Sequence, residues 1–339
     1  MRLSNVILVL SLGSVGAAVS LVGCGGDSGT GTTGTGGSDG TTTTTTTTTG
    51  SGMDDPCSPG ATCPGAKSEC LGLVDYTAKT NFTLRMADLT LTAPPALSKG
   101  TVAGIVKAGV TINLEECNLA GGGTFSWLLQ FDTVTGKLKA GGAKPTTTPA
   151  TGYSFVNETV GGFPIAPLET DAPIKDGKFA MTTGANLTIP IYLDPMAKSV
   201  VLLPLHAAKL AGTVSADNGC IGKYNSKGLL PADNCVATKE IPAFVGADGK
   251  DNSDGTLDGF ITLEESDKVM VDALKQSLCV ILSGDSAQFG DGATPTKCKR
   301  DAGGKILFQG DWCEASNDAA CKDSVKLTAK YSASAVKFN

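Results

Sequence analysis

Asp254, Asp258 and Glu265 stand at the first, fifth and twelfth positions of a segment whose oxygen-bearing groups recur at alternate places. Thr256 and Thr262 add hydroxyls at the third and ninth positions, and the Phe260 carbonyl falls at the seventh. Gly259, at the sixth, permits a sharp turn. A hard cation such as Ca²⁺ takes roughly six to eight oxygens from carboxylates, carbonyls and water. The spacing therefore predicts a calcium site with Asp254, Thr256, Asp258, Phe260, Thr262 and Glu265 as ligands. The same residues support a second reading. Thr262 followed three places later by Glu265, ahead of an apolar run, is also a capping box for a helix.

The twelve-residue pattern resembles the EF-hand calcium loop, with Ile261 at the eighth position where an apolar residue packs. It departs at Thr256, where Asp or Asn is usual, and in the Gly/Asp-rich segment 242–253, which does not read as an incoming helix. It is closer to the half-loops of exported bacterial proteins than to a paired sensor. The resemblance implies a structural ion held in the weak extracellular range, on the order of 10⁻⁴–10⁻³ M.

A second chemical signal lies at the start of the chain. Met1 and Arg2 precede an apolar stretch from Val6 to Val22, which ends in Leu21-Val22-Gly23-Cys24. Ser11, Gly13 and Ser14 thin the stretch below what a spanning helix needs. The four residues match a lipobox, and residues 1–23 resemble the signal peptide of bacterial lipoproteins. That resemblance implies cleavage before Cys24, a diacylglyceryl thioether on its sulfur and a further acyl chain, palmitate for example, on its amine. More than one chain makes anchoring stable. Gly25, standing where Asp would favour the inner membrane, leans the expected location toward the outer membrane of the bacterial cell envelope. Residues 24–56, with nine consecutive threonines from Thr41 to Thr49, have nothing to bury and read as a flexible tether. Its r.m.s. span is roughly 30 Å.

Export fixes the reading of the cysteines. Eleven less Cys24 leaves ten: Cys57, Cys63, Cys70, Cys117, Cys220, Cys235, Cys279, Cys298, Cys313 and Cys321. An even number in an oxidising compartment reads as disulfides. Zinc is disfavoured, because no C-x-x-C pair exists and His206 is the only histidine. Local bridging is expected for Cys220 with Cys235. Cys298, Cys313 and Cys321 are expected to staple the C-terminal segment, one of them to Cys279. The odd trio at 57, 63 and 70 needs a longer-range partner such as Cys117. With 27 basic against 33 acidic residues and no basic cluster, a nucleic-acid partner is excluded.

The positioning elements are mostly strands. Phe125, Trp127, Leu129 and Phe131 alternate with Ser126, Leu128 and Gln130, and Asp132–Gly136 reads as a hairpin turn into Lys137–Ala140. Leu187–Leu193 alternates likewise, and Val200–Leu205 is a continuous apolar run. Phe82–Met86, 102–106, 110–114, Tyr153–Asn157, Phe179–Thr183, Lys305–Phe308, Val325–Lys330 and Ala333–Phe338 are further strand candidates. Met270, Leu274, Leu278 and Leu282 predict one amphipathic helix over 263–282. The fold class is mainly β, an antiparallel sandwich or barrel, with that helix in the C-terminal half and disulfide stabilisation. Residues 57–215 form a β-rich domain. Residues 216–339 form either a smaller disulfide-rich α+β region or the completing strands of the same domain.

No catalytic constellation stands out. Gly26–Gly29 and Gly36–Gly40 match serine-nucleophile patterns only through low complexity. Gly284-Asp285-Ser286 matches a lipase block but has no histidine after it. His206 reads as a packed core or strand-edge residue, Trp127 as core, and Trp312 as a candidate for exposure. The chain reads as a lipid-anchored envelope protein, non-catalytic, with a structural or binding role and a calcium-stabilised loop. The alternatives are a carbohydrate-binding module or surface adhesion protein, and after those an extracellular hydrolase. Its partners are the membrane through the anchor, and an envelope polysaccharide or protein.

Overall fold

Phe82, Leu84 and Met86 point to one side of β1 (Asn81–Ala93), and Leu129 and Phe131 to the same side of β2 (Trp127–Asp132). The two strands are antiparallel, with Phe82 opposite Phe131 and Leu84 opposite Leu129. Their rings stack at 4.9 Å between centroids. Such cross-strand aromatic pairs are what fixes register in a sheet with one buried face. This computed structural model describes residues 74–98, 112, 121–146, 148–222, 254–272, 274–284, 296–314 and 320–339. The expected signal peptide, Cys24, the expected tether, Cys57, Cys63, Cys70, Cys117, Cys235 and the strands expected at 102–106 and 110–114 (save Ile112) lie outside them.

From β2, a turn leads into β3 (Lys137–Gly142). Asp132 Oδ1 accepts the Val134 and Thr135 N–H groups, and Gly136 sits at φ 68°, a left-handed position that suits glycine. The short strands β4 (Glu158–Val160) and β5 (Phe163–Ile165) form a hairpin. Then come β6 (Leu168–Asp171), β7 (Lys178–Ala180), β8 (Ala185–Tyr192), β9 (Val200–Thr213) and β10 (Cys220–Ile221). β11 (Gly255–Thr262) and β14 (Ser324–Ala335) complete the main sheet. Its order is β6-β3-β2-β1-β14-β11-β9-β7, with β8 on β9 and β10 on β14. β14 lies between β1 and β11, so residues 216–339 contribute strands to the sheet that the earlier residues begin.

The sheet curls into a near-closed antiparallel barrel. Phe131 of β2 meets Phe179 of β7 edge-on at 4.9 Å, although four strands separate them in the order. The Thr182 N–H, just past β7, donates to the carbonyl of Asp171 at the end of β6. Two otherwise free edges are thereby stitched, which is how a barrel removes the hazard of open edges. The interior is filled. Met86, Phe125, Trp127, Leu187, Ile189, Leu210 and Leu257 enclose a void of about 10 Å³, room for no more than one water.

Part of the outer face is also buried. Arg85 projects there with no exposure, donating to Ser126 Oγ at 3.2 Å and to the Phe125 and Ile112 carbonyls. Its guanidinium lies 5.9 Å from the Tyr153 ring centre, and burial pulls its pKa down. Tyr153 is core, bridging to Phe338, and Tyr153–Asn157 is not a strand. Lys305–Phe308 is likewise no strand: only Ile306 makes an isolated bridge, to Arg300. Val325–Lys330 and the first part of Ala333–Phe338 lie in the single β14, which ends at Ala335, with Phe338 making only an isolated bridge.

The long helix expected over 263–282 is not formed. The chain makes one helical turn, α2 (Leu263–Ser266), then the hairpin strands β12 (Met270–Val271) and β13 (Gln276–Ser277), then α3 (Leu278–Ser283). An earlier short turn is α1 (Pro95–Ser98). Lys275 has φ 52°, outside the right-handed helical region. Asp267, 2% exposed, accepts hydrogen bonds from Ser277 Oγ and the Cys298 N–H, drawing the chain back on itself. Cys279–Cys298 locks that return with Cα atoms 5.9 Å apart, and Cys313–Cys321 closes a second loop. These bridges agree with the expectation that the C-terminal cysteines staple the chain, one of them to Cys279. Cys220 is disulfide-bonded as well; its expected partner, Cys235, is outside the described residues.

Candidate recognition surface

The twelve residues expected to wrap a calcium ion run instead as β11, paired along its length with β14 and over most of it with β9. Asp254 precedes the strand. Thr256, Asp258 and Phe260 face outward along it, while Leu257, Gly259 and Ile261 face the core. Alternate residues on one strand face are spaced by two rises of about 3.3 Å each, so these oxygens form a line and do not converge on a point. The expected loop, with Asp254, Thr256, Asp258, Phe260, Thr262 and Glu265 as ligands, is corrected to a strand and cap. Gly259 serves close approach, not a turn: a Cβ there would lie 2.7 Å from Leu205 Cγ. Thr262 is the N-cap of α2, its Oγ1 accepting the Glu265 N–H at 3.3 Å. The capping reading of Thr262 and Glu265 is the one the chain adopts.

Glu265 turns its carboxylate to the chain's only histidine. Its Oε2 contacts His206 Nε2 and accepts the Thr262 hydroxyl at 3.2 Å. On the other side of the ring, Glu314 Oε1 lies 2.6 Å from Nδ1. That approach has the distance of an ion pair but not the angle of a hydrogen bond, so Nδ1 is buried without an aligned partner. The imidazole thus joins three segments: β9, α2 and the Cys313–Cys321 loop.

A β-bulge positions His206. Between the pairs Asp258–Lys209 and Phe260–His206, β9 carries one residue more than β11, with Ala207 at φ 45° absorbing the kink. His206 is thereby set directly opposite Phe260, and their rings stack at 5.9 Å and 19°. Trp312 lies beyond, 6.4 Å from Phe260. The three rings form a row from sheltered to exposed, with Trp312 47% exposed and Trp127, by contrast, at 3%.

Trp312 is held firmly despite its exposure. Its N–H and C=O pair with Ser324, which sits in β14. The Glu314 N–H donates to Asp323 Oδ1, and Asp311 Oδ1 accepts the Lys326 N–H. The adjacent Cys313 is tied to Cys321 by a disulfide. α2 is anchored too. Arg300 makes a forked contact with Glu264, at 3.0 and 2.9 Å, and a 2.9 Å bond to Asp267. These carboxylates hold the Arg300 pKa up.

Among the described residues no hydroxyl or thiol is hydrogen-bonded to His206, as a nucleophilic triad would have. The sulfurs clustered with Asp267 and with Asp323 are those of the two disulfides, which are not thiolate ligands. A separate open depression of about 590 Å³ between β7, β9 and the start of β11 is lined by Lys175, Lys178, Thr213 and Asp254. Sequence reasoning read His206 as a packed core or strand-edge residue, and it lies within β9, mostly buried; it also raised the exposure of Trp312. It passed over Glu314 and the link from Glu265 to His206. The one signal available was Glu314 beside Trp312 and a disulfide cysteine. Comparison with protein-family models, curated proteins and solved structures finds no match.

Proposed function

We propose that this chain is a lipid-anchored, non-catalytic binding module of the bacterial cell envelope, with its recognition face at Trp312. The observation that carries the reading is an indole half exposed to solvent, its ring beside Phe260 and its backbone pinned by pairing to Ser324 and a flanking disulfide. A large aromatic surface left in water on a pinned backbone is what a binding face needs, since less ordering entropy remains to be lost on contact. Glu265 and Glu314 supply polar groups held against His206, at the other end of the ring row that begins with Trp312, as small-molecule and glycan sites require. The filled barrel interior favours the outer surface over the lumen as the place of binding. Anchoring rests on the lipobox at Leu21–Cys24, and the partner is an envelope polysaccharide or protein.

Two measurements test this. Cys24→Ser should move the protein from the membrane to the soluble fraction, and unchanged pelleting would reject the anchor. Trp312→Ala should abolish co-sedimentation of that released protein with purified cell-envelope material while leaving Tm within about 2 °C. Co-sedimentation that survives the substitution would reject the face.

A further inference from the structure

Trp312, Glu265 and Glu314 have unused valences that together describe a ligand. Glu265 spends Oε2 on His206 and Thr262, and Glu314 spends Oε1 on His206. Glu265 Oε1 and Glu314 Oε2 have no protein donor among the described residues, and the two side chains are 33% and 39% exposed. Trp312 has its backbone paired with Ser324 and its ring beside Phe260, which leaves its outer ring face and its indole N–H to offer. From this geometry we infer that the face binds a polysaccharide of uncharged hexopyranose units laid along the row, one unit's C–H face on Trp312 and hydroxyls further along the chain donating to the two carboxylates held at His206. The inference rests on the binding reading above and assigns its ligand class.

Charge and shape select the class. Asp311 and Glu314 flank Trp312 in the chain, Asp323 accepts the Glu314 N–H and Glu265 lies across the His206 ring; together they outnumber Lys326, which stands opposite Phe260 on the same outward face. A uronic acid or phosphate would meet like charges, which cost more the less water separates them. A bare cation is the other ligand that an acidic aromatic site takes, but cation recognition is strongest where several ring faces surround the charge. Here Phe260 is half-buried between its neighbours and His206 is sandwiched by carboxylates, so a single open face remains. One flat apolar face with acceptors to the side matches a ring that is apolar on its face and hydroxylated at its rim.

The chain has two tryptophans, and Trp127 is buried in the core. Acrylamide quenching of tryptophan fluorescence therefore reports Trp312 almost alone. The mature protein, solubilised in detergent, is titrated with maltohexaose, cellohexaose and mannohexaose, with hexagalacturonate as the anionic control and tetralysine as the cationic one. At least one neutral hexaose should protect the indole, with an effect insensitive to salt. Glu314→Ala should weaken that protection by about tenfold and Glu314→Gln, which keeps an acceptor, by less. Hexagalacturonate should give no protection. If no neutral hexaose protects at about 10 mM, the ligand class is wrong. Salt-sensitive protection by tetralysine alone would overturn it in favour of a cationic partner. The two readings fail separately. Inert hexaoses with Trp312-dependent co-sedimentation would remove the sugar and leave the binding face; the converse would leave the sugar and remove the envelope partner.

Discussion

Asp267→Asn should cost this protein about 3 kcal/mol and disconnect α2 from the recognition face. The carboxylate is almost wholly buried and accepts three bonds: Ser277 Oγ at 2.8 Å and the Cys298 N–H at 2.8 Å on Oδ1, and Arg300 at 2.9 Å on Oδ2. Asparagine keeps the shape and a single acceptor oxygen. If that oxygen serves Ser277 and Cys298, the new NH₂ faces the Arg300 guanidinium, donor against donor. A hydrogen bond to a charged group contributes about 1.5–3 kcal/mol, and breaking a buried pair costs about 3–5 kcal/mol. Half of Arg300's partnership, that with the exposed Glu264, survives, which places the loss near the lower bound. At about 2–4 °C per kcal/mol for a domain of this size, Tm should fall by about 6–12 °C in calorimetry. Glu264→Ala is the control. Its side chain is 57% exposed, so the loss should stay below about 1 kcal/mol. If Asp267→Asn matches Glu264→Ala within error, the buried carboxylate does not organise this region and the reasoning fails.

Other perturbations follow from the same geometry. Gly255→Ala should destabilise by about 2 kcal/mol or more in denaturant melts, because its Cβ would stand 2.5 Å from the buried Tyr331 ring. Millimolar calcium and EDTA should give the same Tm, since the oxygens at 254–262 lie along a strand; a calcium-dependent rise lost in Asp258→Ala would contradict the strand account. Tyr192, buried beside Glu158, has its pKa raised to about 12. Its neutral form is favoured in the fold, so this stability is present below about pH 10 and lost as pH climbs toward 12. The Tyr192 ionisation, taken as the absorbance difference from Tyr192→Phe, should then coincide with unfolding by circular dichroism, and its early ionisation without unfolding would refute the burial. Cys313→Ala with Cys321→Ala should forfeit up to about 2.5 kcal/mol of loop-closure stabilisation and raise the acrylamide quenching of Trp312; unchanged quenching would mean the disulfide does not hold the indole.

The strands were legible because their apolar residues alternate over short runs, and Phe82, Leu84, Phe131 and Leu129 lie where that alternation puts them. The misread segments share one physical cause. Ligands at the odd positions of a calcium loop have period two, which is also the period of one face of a strand. Asp254, Thr256, Asp258 and Phe260 satisfy both patterns, and only long-range pairing to β9 and β14 decides between them. Met270, Leu274, Leu278 and Leu282 are spaced by four, a multiple of two that also approximates a helical turn. Asp267, with Cys279 bonded to Cys298, resolves that ambiguity toward a hairpin. His206 was unreadable for a related reason. Glu265 lies 59 residues away in sequence, and the two meet only because β9 and β11 pair across a bulge.

The central claim is that Trp312 is the contact point with the envelope. It is tested most directly by the Stern–Volmer constant for acrylamide quenching of the intact protein, measured with and without purified envelope material. The account predicts that the constant falls by about half or more when that material is present, as ring faces buried at an interface lose access to quencher. An unchanged constant under conditions where the protein is demonstrably bound would contradict it.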